Sequence, residues 1–226
     1  WLRHCGIAID GIRRVNGEFT AGAYITTDKA DNQITGFNPG AMKHRADYPV
    51  DEADPAQTIA IVAPGNLEDM QDFPRRYKAK GIPCMVDPGQ NITAFSGDQL
   101  AEMLTGATYL ISNDYELELI QNSTKLTQAE IVERAGTVIT TLGEKGSVIR
   151  QKGSEIAISP CPVAEVKDPT GAGDAFRAGF VKGLALGKPL DVAARMGSVS
   201  AAYAVEKHGT QEHAFTWQEF ADRYAA

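Results

Sequence analysis

The sequence predicts an α/β fold, a mainly parallel sheet whose strands are joined by crossover helices, with a small antiparallel β sheet attached. Three observations predict it. From residue 57 onward, apolar stretches of strand length alternate with helix-length segments, the pattern of parallel strands joined by crossover helices. Before them, residues 12–37 hold short β-prone runs broken by turn residues. Late in the chain, Asp168-Pro169-Thr170-Gly171-Ala172-Gly173-Asp174 ends one element and opens a helix with a carboxylate in its first turn.

In the first part, 12–15, 23–27 and 32–37 are the expected strands, and Asn16-Gly17 is a hairpin signal because a type I′ turn needs φ > 0 at both central residues. Three such strands, poor in large apolar residues, must cover something or pair with another copy. Residues 12–45 are therefore assigned as a β lid or dimer clasp, and 1–11 with 46–226 as the α/β core. The first buried-type strand is 58–63. Asn66 caps a helix running to about Lys80, which Gly81 and Pro83 end, and 84–87 is the next strand. Helix 98–104, strand 108–112, helix 114–121 and strand 137–142 follow, then a hairpin of 146–150 with 156–158. A strand over 163–166 is stopped by Pro169. Helices over 173–186, 190–206 and 217–224 close the chain, and Val192, Met196, Val199 and Tyr203 share one face of the second.

With 226 residues and 43% hydrophobic content, the chain can bury one substantial core. Asp and Glu outnumber Lys and Arg by 29 to 22, and no basic run could neutralise several phosphates, so no nucleic-acid partner is expected. Cys5, Cys84 and Cys161 are widely spaced and suggest neither disulfides nor zinc, which fits a reducing cytoplasm. No apolar run reaches the roughly 20 residues needed to span a bilayer, so no membrane partner is expected.

In open α/β sheets ligands bind beyond the carboxyl ends of the strands. Around 168–174, Gly171 and Gly173 leave backbone N–H groups bare at a helix start, where phosphate binds. Asp174 reads either as a helix cap or as a carboxylate that receives a proton. After strand 108–112, Asn113 and Glu116 stand three apart, either as hard oxygen ligands for Mg²⁺ or as a capping box. After strand 137–142, Thr141 precedes Gly143-Glu144-Lys145-Gly146, a turn open to a nucleotide or an ordinary glycine hairpin. A Walker A loop, a G-x-S-x-G elbow and a His pair at metal spacing are all absent, and Phe176 stands where a dinucleotide fingerprint needs Gly or Ala.

Taken together, the D-P-T-G-A-G-D-A-F at 168–176, the N-x-x-E of Asn113 to Glu116 and the T-x-G-x-x-G of Thr141 to Gly146 resemble the ribokinase-like (PfkB) family of carbohydrate and nucleoside kinases. All three stand in the family's order. Tyr24-Ile25-Thr26-Thr27-Asp28, Asp31-Asn32-Gln33-Ile34-Thr35, Asn38-Pro39-Gly40-Ala41-Met42, Asp87-Pro88-Gly89-Gln90 and Gly209-Thr210-Gln211 look most similar to bacterial adenosine or nucleoside kinases. The resemblance implies a three-layer αβα ribokinase-like fold and ATP-dependent phosphorylation of a nucleoside, adenosine first, with a ribose- or fructose-type sugar kinase as the alternative and a catalytically silent nucleotide-binding relative as the second. It implies Asp174 as the base and the backbone of Gly171, Ala172 and Gly173 as an anion hole. Asn113 and Glu116 would hold Mg²⁺. Thr141, Gly143 and Gly146 would line the ATP site together with Thr170, and residues from Ala202 to His208 would lie near the adenine. Several relatives bind a monovalent cation, K⁺ here, which would use backbone oxygens around Asp168 and Thr170. The family's opening strand, its substrate-binding Asp and its Gly-Gly segment are not found before Trp1, so the chain is expected to be part of a longer polypeptide in preference to a truncated, inactive product.

Overall fold

A computed structural model describes residues 2–27 and 33–226 of the chain. Six strands form the central sheet: β3 (Ala60–Val62), β4 (Cys84–Val86), β5 (Tyr109–Asn113), β6 (Thr137–Thr141), β7 (Ser147–Gln151) and β8 (Ser154–Ile158). They lie side by side in chain order; β3 to β6 are parallel, whereas β7 and β8 are joined antiparallel at one edge. Parallel neighbours need crossovers, and each is helical: α1 (Leu67–Ala79), α2 (Gly97–Gly106), α3 (Asp114–Thr124) and α4 (Gln128–Ala135).

Because alternate strand residues point to opposite faces, the sheet has two cores. Cys84, Val86, Leu110 and Val138 meet α1 to α4 on one side. Met85, Ile111, Ile139 and Ile149 meet α5 (Ala172–Ala185) and α6 (Leu190–Val205) on the other. The expected three layers are present. The predicted face of Val192, Met196, Val199 and Tyr203 is occupied by Phe220 and Tyr224 of α7 (Trp217–Ala225).

α5 and α6 touch through backbone. Glycine in a helix interior is unfavourable by roughly 0.5–1 kcal/mol relative to alanine, so three of them at one crossing need a reason. A Cβ at Gly179 would lie 2.5 Å from the Met196 carbonyl oxygen, and one at Gly197 would lie 2.8 Å from that of Phe176. Gly183 is similarly crowded by Ala193. This close crossing sets where the N-terminus of α5 emerges.

Four expectations are corrected. Residues 12–15 form no strand: Asn16 keeps a negative φ, only Gly17 is left-handed, and the turn there does not return the chain as a hairpin. The small sheet consequently has two strands, β1 (Gly22–Thr27) and β2 (Gln33–Asn38), antiparallel with Ala23 opposite Phe37. Residues 163–166 form no strand, because Ala164 donates to the Glu206 carboxylate and Lys167 to the Val205 carbonyl, holding this stretch against the end of α6. Helix α4 was not expected, although Thr127 and Glu130 form a capping box ahead of the buried stripe Ile131, Val132 and Ala135. Trp1 and 28–32, including Asp28, Asp31 and Asn32 of the quoted motifs, lie outside the described residues.

The stem of the small sheet is tied to the core. Arg45 donates to Asp69 at 2.7 Å and to Asp72 at 3.0 Å, and the Ala46 N–H reaches the other Asp69 oxygen at 2.6 Å. Asp69 is buried, so the Ala46 N–H and the exposed Arg45 side chain both reach a carboxylate at the edge of the core.

Candidate active site

The carboxyl ends of β4, β5 and β6 and the N-terminus of α5 open on one cavity of about 600 Å³, lined by Asp87, Asn113, Glu116, Thr141, Gly171, Gly173, Asp174 and Arg177. Phe37 and Met42 bring the small sheet and its following turn to the same cavity. Beside it lies an apolar hollow of about 270 Å³, lined by Gly143, Gly146, Cys161, Val163, Val166, Ala172 and Ala202. Pro169 lines both, so the loop ahead of α5 is the partition between them. Another hollow, of about 470 Å³ between α4 and the β7–β8 turn, holds none of the motif residues.

The partition suits an anion. Gly171 is the N-cap of α5 in the left-handed region, φ 86°, where a side chain would be strained and would press on Thr210. Gly173 has neither reason to be glycine: its φ is ordinary and a Cβ would meet no protein atom within 4 Å. Its bareness leaves room on the cavity side, as a closely approaching ligand requires. Of the three expected hole residues, Ala172 already donates its N–H to the Pro169 carbonyl at 3.2 Å. Among the described residues, the N–H groups of Gly171, Gly173 and Asp174 have no protein acceptor. The third free donor, the backbone N–H of Asp174, is not among those expected from the sequence.

Asp168 holds this loop. One carboxylate oxygen accepts the Thr170 N–H at 2.9 Å and the other the Gly209 N–H at 3.0 Å. These donors, Gly209 first, pull its pKa down to about 2. Thr170 and His208 line neither cavity, and His208 is exposed, acting on Asp168 through its charge. Thr141 faces the larger cavity, while Gly143, Gly146 and Ala202 belong to the apolar hollow. Gly146 has a packing reason as well, since a Cβ there would lie 2.1 Å from the Ile158 carbonyl oxygen.

Asn113 and Glu116 make a reciprocal capping box: the Glu116 N–H donates to Asn113 Oδ1 at 2.7 Å, and the Asn113 N–H to Glu116 Oε2 at 2.9 Å. The capping arrangement and the cavity position therefore coexist. Glu116 Oε1 takes no protein donor among the described residues, which leaves a hard oxygen facing the cavity, suited to a water of a hydrated Mg²⁺. No cluster of three or more His, Cys, Asp or Glu at metal-binding distances occurs among the described residues.

Two residues of the site, Arg177 and Asp87, were given no role from the sequence, although Asp87 opens one of the quoted motifs. Arg177, one turn beyond Asp174, donates to both Asp174 Oδ1 and Asp87 Oδ2. Burial pushes the Asp87 carboxyl up to about 6, against the pull of Arg177 and with a further push from the Glu116 charge. The i,i+3 spacing from Asp174 was visible; the Asp87 contact joins residues 90 apart and was not.

Residues 1–217 match the family described as pfkB family carbohydrate kinase. The chain is 32% identical over 226 residues to a nucleoside kinase of Methanocaldococcus jannaschii, covering 99% of this chain and 73% of that protein. It is 28% identical over 226 residues to a ribokinase of Haemophilus influenzae, covering 95% and 72%. Among solved structures, the nucleoside kinase of Burkholderia thailandensis in complex with inosine superposes with a TM-score of 0.93 at 34% identity, covering 99% of this chain and 73% of that one. Sheet order, strand-end site and sequence likeness thus agree: this chain belongs to the pfkB family of carbohydrate kinases, phosphotransferases that take an alcohol group as acceptor.

Proposed function

We propose that the chain transfers the γ-phosphoryl group of ATP to the 5′-hydroxyl of a nucleoside, with adenosine the first candidate. The observation that carries this reading is the glycine partition: Gly173 is bare without a packing or backbone reason, beside a carboxylate on the wall of the larger cavity. ATP is assigned to the apolar hollow, with its adenine near Ala202 and its phosphates reaching the N–H groups of Gly171, Gly173 and Asp174. The acceptor occupies the larger cavity. Its oxygen bonds to the γ-phosphorus as the bond from phosphorus to the β-phosphate oxygen breaks, its proton passes to Asp174 Oδ2, and ADP leaves. Backbone N–H groups stabilise the charge on the moving phosphoryl.

Mg²⁺ is assigned to the Asn113–Glu116 end of the cavity, through Glu116 Oε1 and water, where it would neutralise phosphate charge. K⁺ is assigned to backbone carbonyls around Asp168 and Thr170, because the Asp168 carboxylate is engaged by two N–H groups. Unpaired Cys5, Cys84 and Cys161 suit a reducing, cytoplasmic setting, and no helix among the described residues is long and apolar enough to cross a membrane.

Nucleoside in preference to free sugar is supported by the inosine bound to the Burkholderia relative and by the apolar contact that Phe37 and Met42 offer a flat base. A phosphorylation panel of nucleosides against ribose and fructose tests it. Adenosine or inosine should give the highest kcat/KM, and Phe37→Ala should lower that value about tenfold for the nucleoside while leaving ribose within about twofold. Higher kcat/KM for a free sugar would replace this reading with a sugar kinase, and no turnover on either with a silent nucleotide binder.

Residues 12–45 are proposed as the lid. Phe37 and Ile25 lie on one face of the small sheet and Tyr24 and Ile34 on the other, and Tyr24 and Ile34 are the more exposed pair, 71% and 79% against 53% and 48%. That outer pair is where a second copy would join. Amide exchange across 23–27 and 33–37 should slow when nucleoside is added, and at fixed ligand it should also slow with rising protein concentration. Exchange unaffected by nucleoside removes the lid; exchange independent of concentration removes the dimer.

A further inference from the structure

We propose that Arg177 is a positioning residue for the phosphoryl transfer: anchored from behind by Asp87, it holds the Asp174 carboxylate facing the acceptor. The inference rests on Asp174 being the proton acceptor.

Asp174 needs such a holder. Its side chain is 71% exposed, whereas those of Arg177 and Asp87 are each 14% exposed. An exposed carboxylate on a helix start samples several rotamers unless something fixes it, and misplacement of a reacting group is penalised heavily in rate. Arg177 binds only one Asp174 oxygen, Oδ1, and among the described residues Oδ2 has no protein donor. The guanidinium fork thus orients the carboxylate while leaving an oxygen for the hydroxyl proton.

Asp87 is what keeps Arg177 from taking both oxygens. It stands at the end of β4, its own N–H held by the Val62 carbonyl at 2.8 Å, and accepts the other arm of the guanidinium. Arg177 is the sole cation among the described residues lining the cavity, surrounded by Asp87, Asp174 and Glu116. Stability does not explain the contact with Asp174, because an i,i+3 pair with an exposed partner contributes on the order of 1 kcal/mol or less.

A pH dependence follows. The groups facing Asp87 are Arg177 from α5, which favours its anion, and Glu116 from α3, which opposes it; burial opposes it most, and the carboxyl titrates at about 6. Below that pH Asp87 takes a proton and loosens its hold. Arg177, released by Asp87, is then able to take both Asp174 oxygens and leaves none for the hydroxyl proton.

The test measures kcat, KM and their pH profiles on the full chain, using ATP and the acceptor with the highest turnover in the panel above. Arg177→Gln should lower kcat about 10- to 100-fold with KM for ATP within about threefold, and Arg177→Lys should recover part of the loss. Wild-type kcat should step down on the acid side near pH 6, and Asp87→Asn should lack that step. The proposal is overturned if Arg177→Gln, or the Lys variant where Gln does not fold, keeps wild-type kcat while Asp174→Asn is inactive. It is equally overturned if Arg177→Lys and Asp87→Asn lower only the melting temperature or raise KM, with the kcat profile unmoved. Turnover retained by Asp174→Asn would instead refute the underlying reading of the base.

Discussion

Asp174→Asn is expected to lower kcat about 1,000-fold while changing the affinity for ATP less than threefold, as fits removal of a group that acts on the reacting proton alone. Asparagine has nearly the same shape, and its carbonyl oxygen can still accept the bond from Arg177, so the helix start and the partition should stay in place. Nucleotide binding should survive because residue 174 does not line the apolar hollow and the substitution leaves its backbone N–H in place. What disappears is the second carboxylate oxygen as a proton acceptor. Single-turnover kinetics separates chemistry from product release, and isothermal titration with ATP gives the affinity. A kcat within tenfold of wild type would exclude Asp174 as the base.

Gly179→Val is expected to be the most damaging substitution outside the site. The new Cβ would begin 2.5 Å from the Met196 carbonyl oxygen and 2.6 Å from Ser200 Oγ, both on the facing helix. Backbone cannot rotate away as a side chain can, so α5 and α6 must separate along their crossing. Overpacking of this kind destabilises by about 3 kcal/mol, which for a chain of this size lowers the melting temperature by about 6–12 °C. The effect reaches the site, since α5 carries Gly171 to Asp174 at its N-terminus and a rigid shift moves the partition with it. Activity at a temperature where the variant remains folded should therefore fall as well. Thermal melting within 2 °C of wild type would show that the crossing is looser than its geometry implies.

The legible parts of this protein are those whose cause is local. Strand and helix succession from residue 57 follows from apolar periodicity, and each expected strand end on the sheet carries the residues read from it: Asn113 closing β5 with Glu116 just beyond, and Thr141 closing β6. Capping is equally local, so Asn66 caps α1 as expected through bonds to Glu68 and Asp69 N–H groups. Failures arose where distant chain decides. The β-prone residues at 163–166 found their hydrogen-bond partners on α6 and not on a neighbouring strand. At 12–15 the Asn-Gly signal was present, but the chain beyond it pairs with 33–38. Helix α4 was missed although its cap and stripe were readable, because eight residues carry little periodic signal.

By itself the sequence determined the layered fold, the glycine loop that opens a helix with Asp174 in its first turn, and the pfkB family, because each rests on residues near one another in the chain. Only the tertiary structure decided that two separate hollows meet at Pro169, that the Ala172 N–H is taken by the Pro169 carbonyl, and that Arg177 bridges Asp174 to Asp87 just beyond the end of β4. The physical reason is range: a turn or a cap is settled by its neighbours, whereas a shared guanidinium between residues 87 and 174 exists only after the sheet has brought their strand and helix ends together.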